Sequence, residues 1–111
     1  MKKILILTMA MTIWQSSSAE FVWSGNKTIA QLEVGQDGGF NVYFNTDLQF
    51  PCGNAVGTNG VSVNESIAGV TAYGKKALYA QALAAFLDGR QISAYYDHNS
   101  ANCSAGVFMM N

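Results

Sequence analysis

Few side chains in this 111-residue sequence have the types and spacing that catalytic or metal chemistry needs. There are two cysteines, Cys52 and Cys103, and one histidine, His98. The cysteines are too far apart for a CxxC redox motif, and a single histidine does not complete a zinc ligand set with them. His98 lies in a polar stretch where nothing fixes the partners that a catalytic base requires. The sequence therefore predicts no enzyme, no metal site and no cofactor.

The N-terminus has the three-part layout of a secretory signal peptide. Lys2 and Lys3 precede an apolar run over residues 4–14, and small residues ending at Ala19 precede Glu20. The run is too short for a membrane span, which needs about twenty residues. We therefore expect a signal peptide over residues 1–19, cleavage after Ala19, and export from a bacterium to the periplasm or the medium.

The cysteine pair has a structural interpretation in such an oxidising compartment. An even number of cysteines there predicts a disulfide, and two cysteines allow only one intramolecular pairing. Closing a loop of about fifty residues stabilises a small domain by roughly 4 kcal/mol on chain-entropy grounds. We expect a bond between Cys52 and Cys103.

Recognition of a neutral ligand is the chemistry that the composition favours. The chain has five tyrosines and two tryptophans, and only 12% of its residues are charged. Flat amphipathic rings stack on sugar faces. The loops over residues 45–54 and 97–102 add Asn, Ser and Asp side chains that could bind hydroxyl groups, although such residues also simply form turns. With a formal net charge of −1, the sequence lacks the basic balance that binding to nucleic acid requires.

Strands are the elements that must position most of these side chains. Residues 27–35 and 40–45 alternate between apolar and polar, with one slip near Ala30 that indicates a bulge. The turn between them, residues 36–39, contains the Asp and Gly that a hairpin favours. One or two short strands are expected within residues 61–72, and one strand each over residues 90–97 and 105–110.

One segment has helical periodicity. Residues 75–88 are rich in Ala and Leu and stop at Gly89, a typical left-handed C-cap. The face that packs on the sheet is expected to consist of Leu78, Ala82, Leu83, Phe86 and Leu87. The order β-β-β-α-β-β predicts one domain over residues 20–111, mainly β with one helix, folded as a five-stranded OB-fold barrel.

Two segments contain a further pair of motifs: WSGNKTIAQLEVGQ (residues 23–36) and ALYAQALAAFLDGRQISAYYD (residues 77–97). They resemble the B subunits of subtilase cytotoxin and typhoid toxin, which are pertussis-like binding subunits. In that family a Trp-Thr-Gly-like start leads into a strand ending in Gly-Gln, and a helix with Leu-Tyr-x-Gln-Ala precedes an aromatic strand. The resemblance implies an OB-fold subunit that assembles as a ring of five, binds sialylated glycans on host cells and delivers an enzymatic A subunit.

The same resemblance implies candidate glycan-binding residues. Tyr96 matches the tyrosine on the strand after the helix that contacts the sugar in those proteins, and Asp47 falls near an acidic residue that follows the second strand. Tyr95 and Trp23, two of the amphipathic aromatics, complete the candidate site. Because the chain has a shorter loop before its first strand and a shorter C-terminal part than the family, we expect the fold to be shared more than the sugar.

Three functions are compatible with these observations. The leading hypothesis is a secreted toxin B subunit-like homopentamer that binds cell-surface glycans and delivers an A subunit. The first alternative is a monomeric periplasmic or secreted accessory protein that keeps the fold without glycan binding. The second is a small secreted enzyme inhibitor or adhesin component.

Overall fold

In the part of the chain that the structure describes, six strands and one helix follow one another in the order β-β-β-β-α-β-β. The structure is a computed structural model that describes residues 19–52, 56–65 and 69–110, so the predicted signal peptide lies outside the described residues except for Ala19. The elements are β1 (Phe21–Trp23), β2 (Lys27–Val34), β3 (Phe40–Phe44), β4 (Gly60–Val63), α1 (Ala72–Asp88), β5 (Gln91–Asp97) and β6 (Ser104–Met110).

The strands close into a barrel. In the sheet order β1-β5-β2-β3-β4-β6, an additional pairing of β5 with β6 closes a ring of five strands, β5-β2-β3-β4-β6. The sixth strand, β1, lies outside this ring and pairs with β5. β4 and β6 run parallel at the bridge between Ser62 and Ser104, and the other pairs are antiparallel. The predicted fold class, a mainly β, five-stranded OB-like barrel with one helix, is confirmed.

Strand β1 is the element that the sequence analysis did not anticipate. It has three residues and pairs with the second half of β5, placing Trp23 opposite Tyr95. β2 pairs with the first half of the same strand, where Lys27 faces Ile92. The chain passes from β1 to β2 through Gly25, whose φ of 77° lies in the left-handed region. Three residues are too few for an alternation pattern to show in a sequence.

The hairpin of β2 and β3 agrees with the prediction. The register shifts between Ile29 and Gln31, which places a bulge at the expected slip near Ala30. At the turn, the amide of Gly39 donates to the Asp37 carboxylate at 2.9 Å, and Gly38 has a φ of 84°. This is the turn chemistry that Asp and Gly provide.

Helix α1 begins and ends at well-formed caps. The Thr71 hydroxyl accepts a hydrogen bond from the Gly74 amide at 3.0 Å, which satisfies one free N–H of the first turn. Gly89 ends the helix with a φ of 67°, as predicted. The helix starts at Ala72, which lies before the predicted start at residue 75.

The predicted packing face of α1 is wrong in part. Ala82 and Ala85 are fully buried against the barrel, whereas Leu83 is only half-buried and Phe86 and Leu87 are exposed, Leu87 to 75%. Apolar residues occur on every side of the helix, and the polar Lys75 and Gln81 lie on the side that faces the barrel, so the periodicity of the apolar residues does not single out one face. Small alanine side chains allow the helix to lie close to the strands.

The core fills the barrel with side chains from the strands and the long β3–β4 loop. Its largest fully buried side chains are Tyr96, Phe40, Phe44, Ile92, Val42, Val56, Val61 and Val63. The predicted disulfide between Cys52 and Cys103 is confirmed and joins residues 51 apart in sequence. No helix of the described residues is long and apolar enough to cross a membrane.

Candidate functional site

Tyr96, which the resemblance placed in the sugar site, lies in the core. It is 0% exposed, and its hydroxyl donates a hydrogen bond to the carbonyl oxygen of Phe50 at 3.0 Å. Burial raises the pKa of this hydroxyl. A ring that is buried on both faces presents nothing for a sugar to stack on. The structure therefore argues against a direct contact between Tyr96 and a ligand.

Tyr95 points the other way because successive side chains of a strand alternate between its two sides. Its ring lies against Trp23, with centroids 4.9 Å apart and planes inclined at 39°. It also stacks on Phe21, at 5.2 Å and 28°. We call Phe21, Trp23 and Tyr95 the aromatic platform. Two of the four predicted residues, Trp23 and Tyr95, therefore lie together.

The register of β1 on β5 builds this platform. Trp23 is paired directly with Tyr95, and Phe21 lies two residues away on the same side of β1. Trp23 stays 47% exposed. On the other side of Tyr95, β6 pairs Val107 with it, and the exposed Val107 and Met109 extend the apolar surface.

Polar groups from the β5–β6 turn and the chain before β1 border the platform. Asp97 is paired with Phe21 and accepts hydrogen bonds from the backbone amides of Glu20, at 2.9 Å, and Asn99, at 3.0 Å. The Glu20 carboxylate lies 3.1 Å from Nε2 of His98. We call Glu20, Asp97 and Asn99 the polar rim. Carboxylate and amide groups beside exposed rings can accept and donate hydrogen bonds to sugar hydroxyls.

Asp47 belongs to a different cluster. Its carboxylate accepts a hydrogen bond from the Thr58 hydroxyl at 2.8 Å. Its backbone carbonyl accepts one from Lys27 Nζ at 3.1 Å, and the same ammonium group donates to Thr46. These contacts hold the β3–β4 loop onto β2. Among the described residues, no contact joins Asp47 to the aromatic platform, and its predicted role in sugar binding stays a prediction.

A recess lies at the β2–β3 turn, and the sequence analysis did not predict it. It has a volume of about 340 Å³ and is lined by Glu33, Val34, Gly35, Asp37, Gly39, Phe40, Asn41 and Asn64. Glu33 accepts hydrogen bonds from Asn41 at 2.8 Å and from the Tyr43 hydroxyl at 3.2 Å. Partial burial and the neighbouring Glu33 carboxylate raise the pKa of Tyr43. The polar groups of this recess thus bond largely to one another.

The outside of α1 is a second exposed apolar surface. Tyr73 is 83% exposed and Leu87 75%, and the exposed Ala77, Ala80 and Ala84 lie between them. Steps of four and three residues alternate along this set, which is the spacing of a helix–helix seam. We call these five residues the outer helix face; the exposed Lys76, between Tyr73 and Ala80, lies at its edge.

The described residues contain no group of three His, Cys, Asp or Glu side chains that could hold a metal ion. No family model, curated protein or solved structure matches this chain. The surfaces just described are therefore the basis for assigning a function.

Proposed function

We propose that this protein is an exported glycan-binding subunit of the toxin-B kind, whose aromatic platform receives a sugar face. The observation that carries the proposal is the exposed Trp23 ring held in a fixed inclination against Tyr95. An indole and a phenol fixed beside each other offer a rigid amphipathic surface.

The polar rim narrows the class of sugar. Asp97, which is paired with Phe21, supplies carboxylate oxygens next to the rings, and such oxygens accept hydrogen bonds from sugar hydroxyls. Glu20 and Asp97 bring two carboxylates to the polar rim, and the α-ammonium group that cleavage after Ala19 would create offsets only one of them, so the rim disfavours an acidic sugar. A neutral or amino sugar fits the rim better than the sialylated glycans that the resemblance implies.

Assembly into a ring is the second half of the proposal. A stripe of apolar side chains along a helix is typical of a face that packs against another element. The barrel covers one side of α1 through Ala82 and Ala85, whereas the outer helix face is open to solvent in the single chain. A homopentamer with its helices turned inward, as the resemblance implies, would cover this face. Delivery of an enzymatic A subunit would belong to the same assembly.

The test compares Trp23→Ala with Tyr73→Ala, since both remove an exposed aromatic ring but from different surfaces. Trp23→Ala should lower the affinity for a monovalent sugar about tenfold, which corresponds to about 1.4 kcal/mol of lost stacking and burial, and leave the native mass unchanged. Tyr73→Ala should leave that affinity unchanged and weaken the assembly. A glycan array with neutral, amino and sialylated glycans identifies the sugar. Calorimetry then gives the affinity for that sugar, and sedimentation gives the native mass.

The outcomes separate the competing functions. A wild-type monomer that binds no glycan would overturn the toxin-B proposal in favour of the accessory protein. A pentamer that binds no glycan would retain the assembly and refute the sugar site. Binding that is equal in wild type and Trp23→Ala would show that the platform is not the site.

A further inference from the structure

We infer that cleavage after Ala19 creates a structural ion pair, in which the new α-ammonium group of Glu20 binds the Asp97 carboxylate and fixes β1 against β5. The inference rests on the predicted export and cleavage, but it does not require that a glycan binds.

The geometry around Glu20 carries the inference. Its backbone nitrogen lies 2.9 Å from Oδ1 of Asp97, and its carbonyl oxygen accepts a hydrogen bond from the His98 amide at 3.0 Å. Its side-chain carboxylate lies 3.1 Å from Nε2 of His98 and 3.5 Å from Nδ2 of Asn99. An exposed residue immediately after a predicted cleavage point is thus held through its nitrogen, its carbonyl and its side chain.

Cleavage changes the chemistry of one of these groups. In the uncleaved chain, the Glu20 nitrogen belongs to a neutral amide and has one hydrogen to donate. After cleavage it is an ammonium group with a positive charge and three hydrogens. Hydrogen bonds in which both partners are charged are shorter and stronger than neutral ones. Asp97 lies at the distance that such a pair requires.

The pair has a consequence for β1, which is short and pairs with a single neighbour, β5. At its C-terminal end, the Ser24 amide donates to the Ala94 carbonyl and the Ala94 amide donates to the Ser24 hydroxyl, both at 2.8 Å. At its N-terminal end, the anchor is Glu20 with Asp97 and His98. Since β1 supplies Phe21 and Trp23, loosening this anchor would also loosen the aromatic platform.

A thermodynamic cycle tests the inference on recombinant protein. One form begins at Glu20, released from a fusion partner by a protease that leaves no extra residue, and the other retains Ala19. Each form is made with Asp97 and with Asp97→Asn. Hydrogen exchange of the β1 amides and the melting midpoint are measured for all four proteins.

With Asp97 present, retaining Ala19 should speed β1 exchange by roughly twofold to fivefold, the range of a partly exposed ion pair, and lower the melting midpoint. With Asp97→Asn, the two N-termini should behave alike. Asp47→Asn is the matched control, because this loop carboxylate accepts its hydrogen bond from Thr58 instead. In that background the effect of Ala19 should remain. Equal exchange for both N-termini with Asp97 present would overturn the inference.

Two further measurements keep the test decisive. If Asp97→Asn fails to fold, the difference between the two wild-type N-termini should shrink as salt is raised, because salt screens an exposed pair. A difference that is insensitive to salt would refute the ion pair. The mass of the exported protein tests the cleavage point by itself, and an N-terminus other than Glu20 would overturn the inference without affecting the platform.

Discussion

The aromatic platform and the outer helix face both present apolar side chains at the surface, yet they are built differently. In the platform, Trp23 is exposed and Phe21 and Tyr95 are half-buried. The platform consists of three rings inclined against one another on two strands, with carboxylates and an amide at its border. The outer helix face consists of three alanines between Tyr73 and Leu87, all on one helix. Rings with adjacent polar groups suit a small ligand that is apolar on one face and polar at its edge. A smooth stripe of small side chains suits close approach by another helix.

Each surface also has an inward counterpart one residue away. On β5, Tyr95 faces solvent and Tyr96 faces the core; on α1, Ala84 faces solvent and Ala85 faces the barrel. These neighbouring pairs share a residue type and differ in orientation. They therefore allow the assignment of the two surfaces to be tested with matched substitutions.

The largest effect is expected at the two tyrosines. Tyr96→Ala should reduce the free energy of unfolding by about 3–5 kcal/mol, because it leaves a cavity where a fully buried ring was. Tyr95→Ala should cost about 1 kcal/mol through lost ring contacts. Urea unfolding of both variants measures the difference. Equal losses would mean that Tyr95 is a core residue and that the platform is not a free surface.

A smaller effect is expected at the two alanines. Ala85→Leu should destabilise the fold by about 1–3 kcal/mol, since a larger side chain must fit against the barrel at a fully buried position. Ala84→Leu should change the stability of the single chain by less than about 0.5 kcal/mol. Thermal unfolding compares the two at a dilution where each variant is a monomer, because the proposed pentamer would cover position 84. A destabilising Ala84→Leu with a neutral Ala85→Leu would reverse the assigned faces of the helix.

The smallest effect concerns the hydroxyl of Tyr96. Because the pKa of Tyr96 is raised in the folded state, the unfolded chain loses this proton first as the pH rises above about 10. The stability that this group contributes is therefore complete below that pH and is lost as the pH rises through the folded-state pKa. In Tyr96→Phe, the free energy of unfolding should fall less steeply at alkaline pH. At neutral pH it should be lower than in wild type by about 1 kcal/mol, because the hydrogen bond to Phe50 is lost.

Urea titrations at pH 8 and at a pH above 10 measure whether the free energy of unfolding falls as the pH rises. Tyr43 also has a raised pKa, so part of the alkaline loss should remain in Tyr96→Phe. Tyr95→Phe is the control. It should keep the part of the alkaline loss of stability that Tyr96→Phe removes. Wild type and Tyr96→Phe with the same alkaline slope would show that Tyr96 is not buried in solution.

Much of the fold was predictable because it depends on local chemistry. Alternation gave the hairpin, Gly89 gave the end of the helix, and the cysteine count gave the disulfide. The packing face of α1 was not predictable, because apolar residues surround the whole helix and only the barrel decides which of them it covers. Strand β1 was missed because its pairing with β5 joins residues far apart in sequence.

The candidate site was predictable only in part. Trp23 and Tyr95 were both predicted as candidate site residues and lie together, but Phe21 was missed because its position depends on the register of β1. The resemblance selected Tyr96 by its position along the chain. Which of two adjacent tyrosines faces outward depends on the side of β5 that the core covers, and that is a property of the closed barrel.

The seam between β4 and β6 has a consequence for how the barrel opens. A single parallel bridge, Ser62 with Ser104, joins these strands, and the disulfided Cys103 lies directly beside it and accepts a hydrogen bond from the Ser62 amide. A sheet parts most readily where it has the fewest pairs, so local unfolding is expected to start at this seam. The disulfide between Cys52 and Cys103 therefore lies beside the strand pair of the barrel that has the fewest paired residues. Reduction would remove this cross-link, and wherever the seam then opened, two strand edges would be available for pairing with other chains, so the reduced protein is expected to aggregate more readily than the oxidised one.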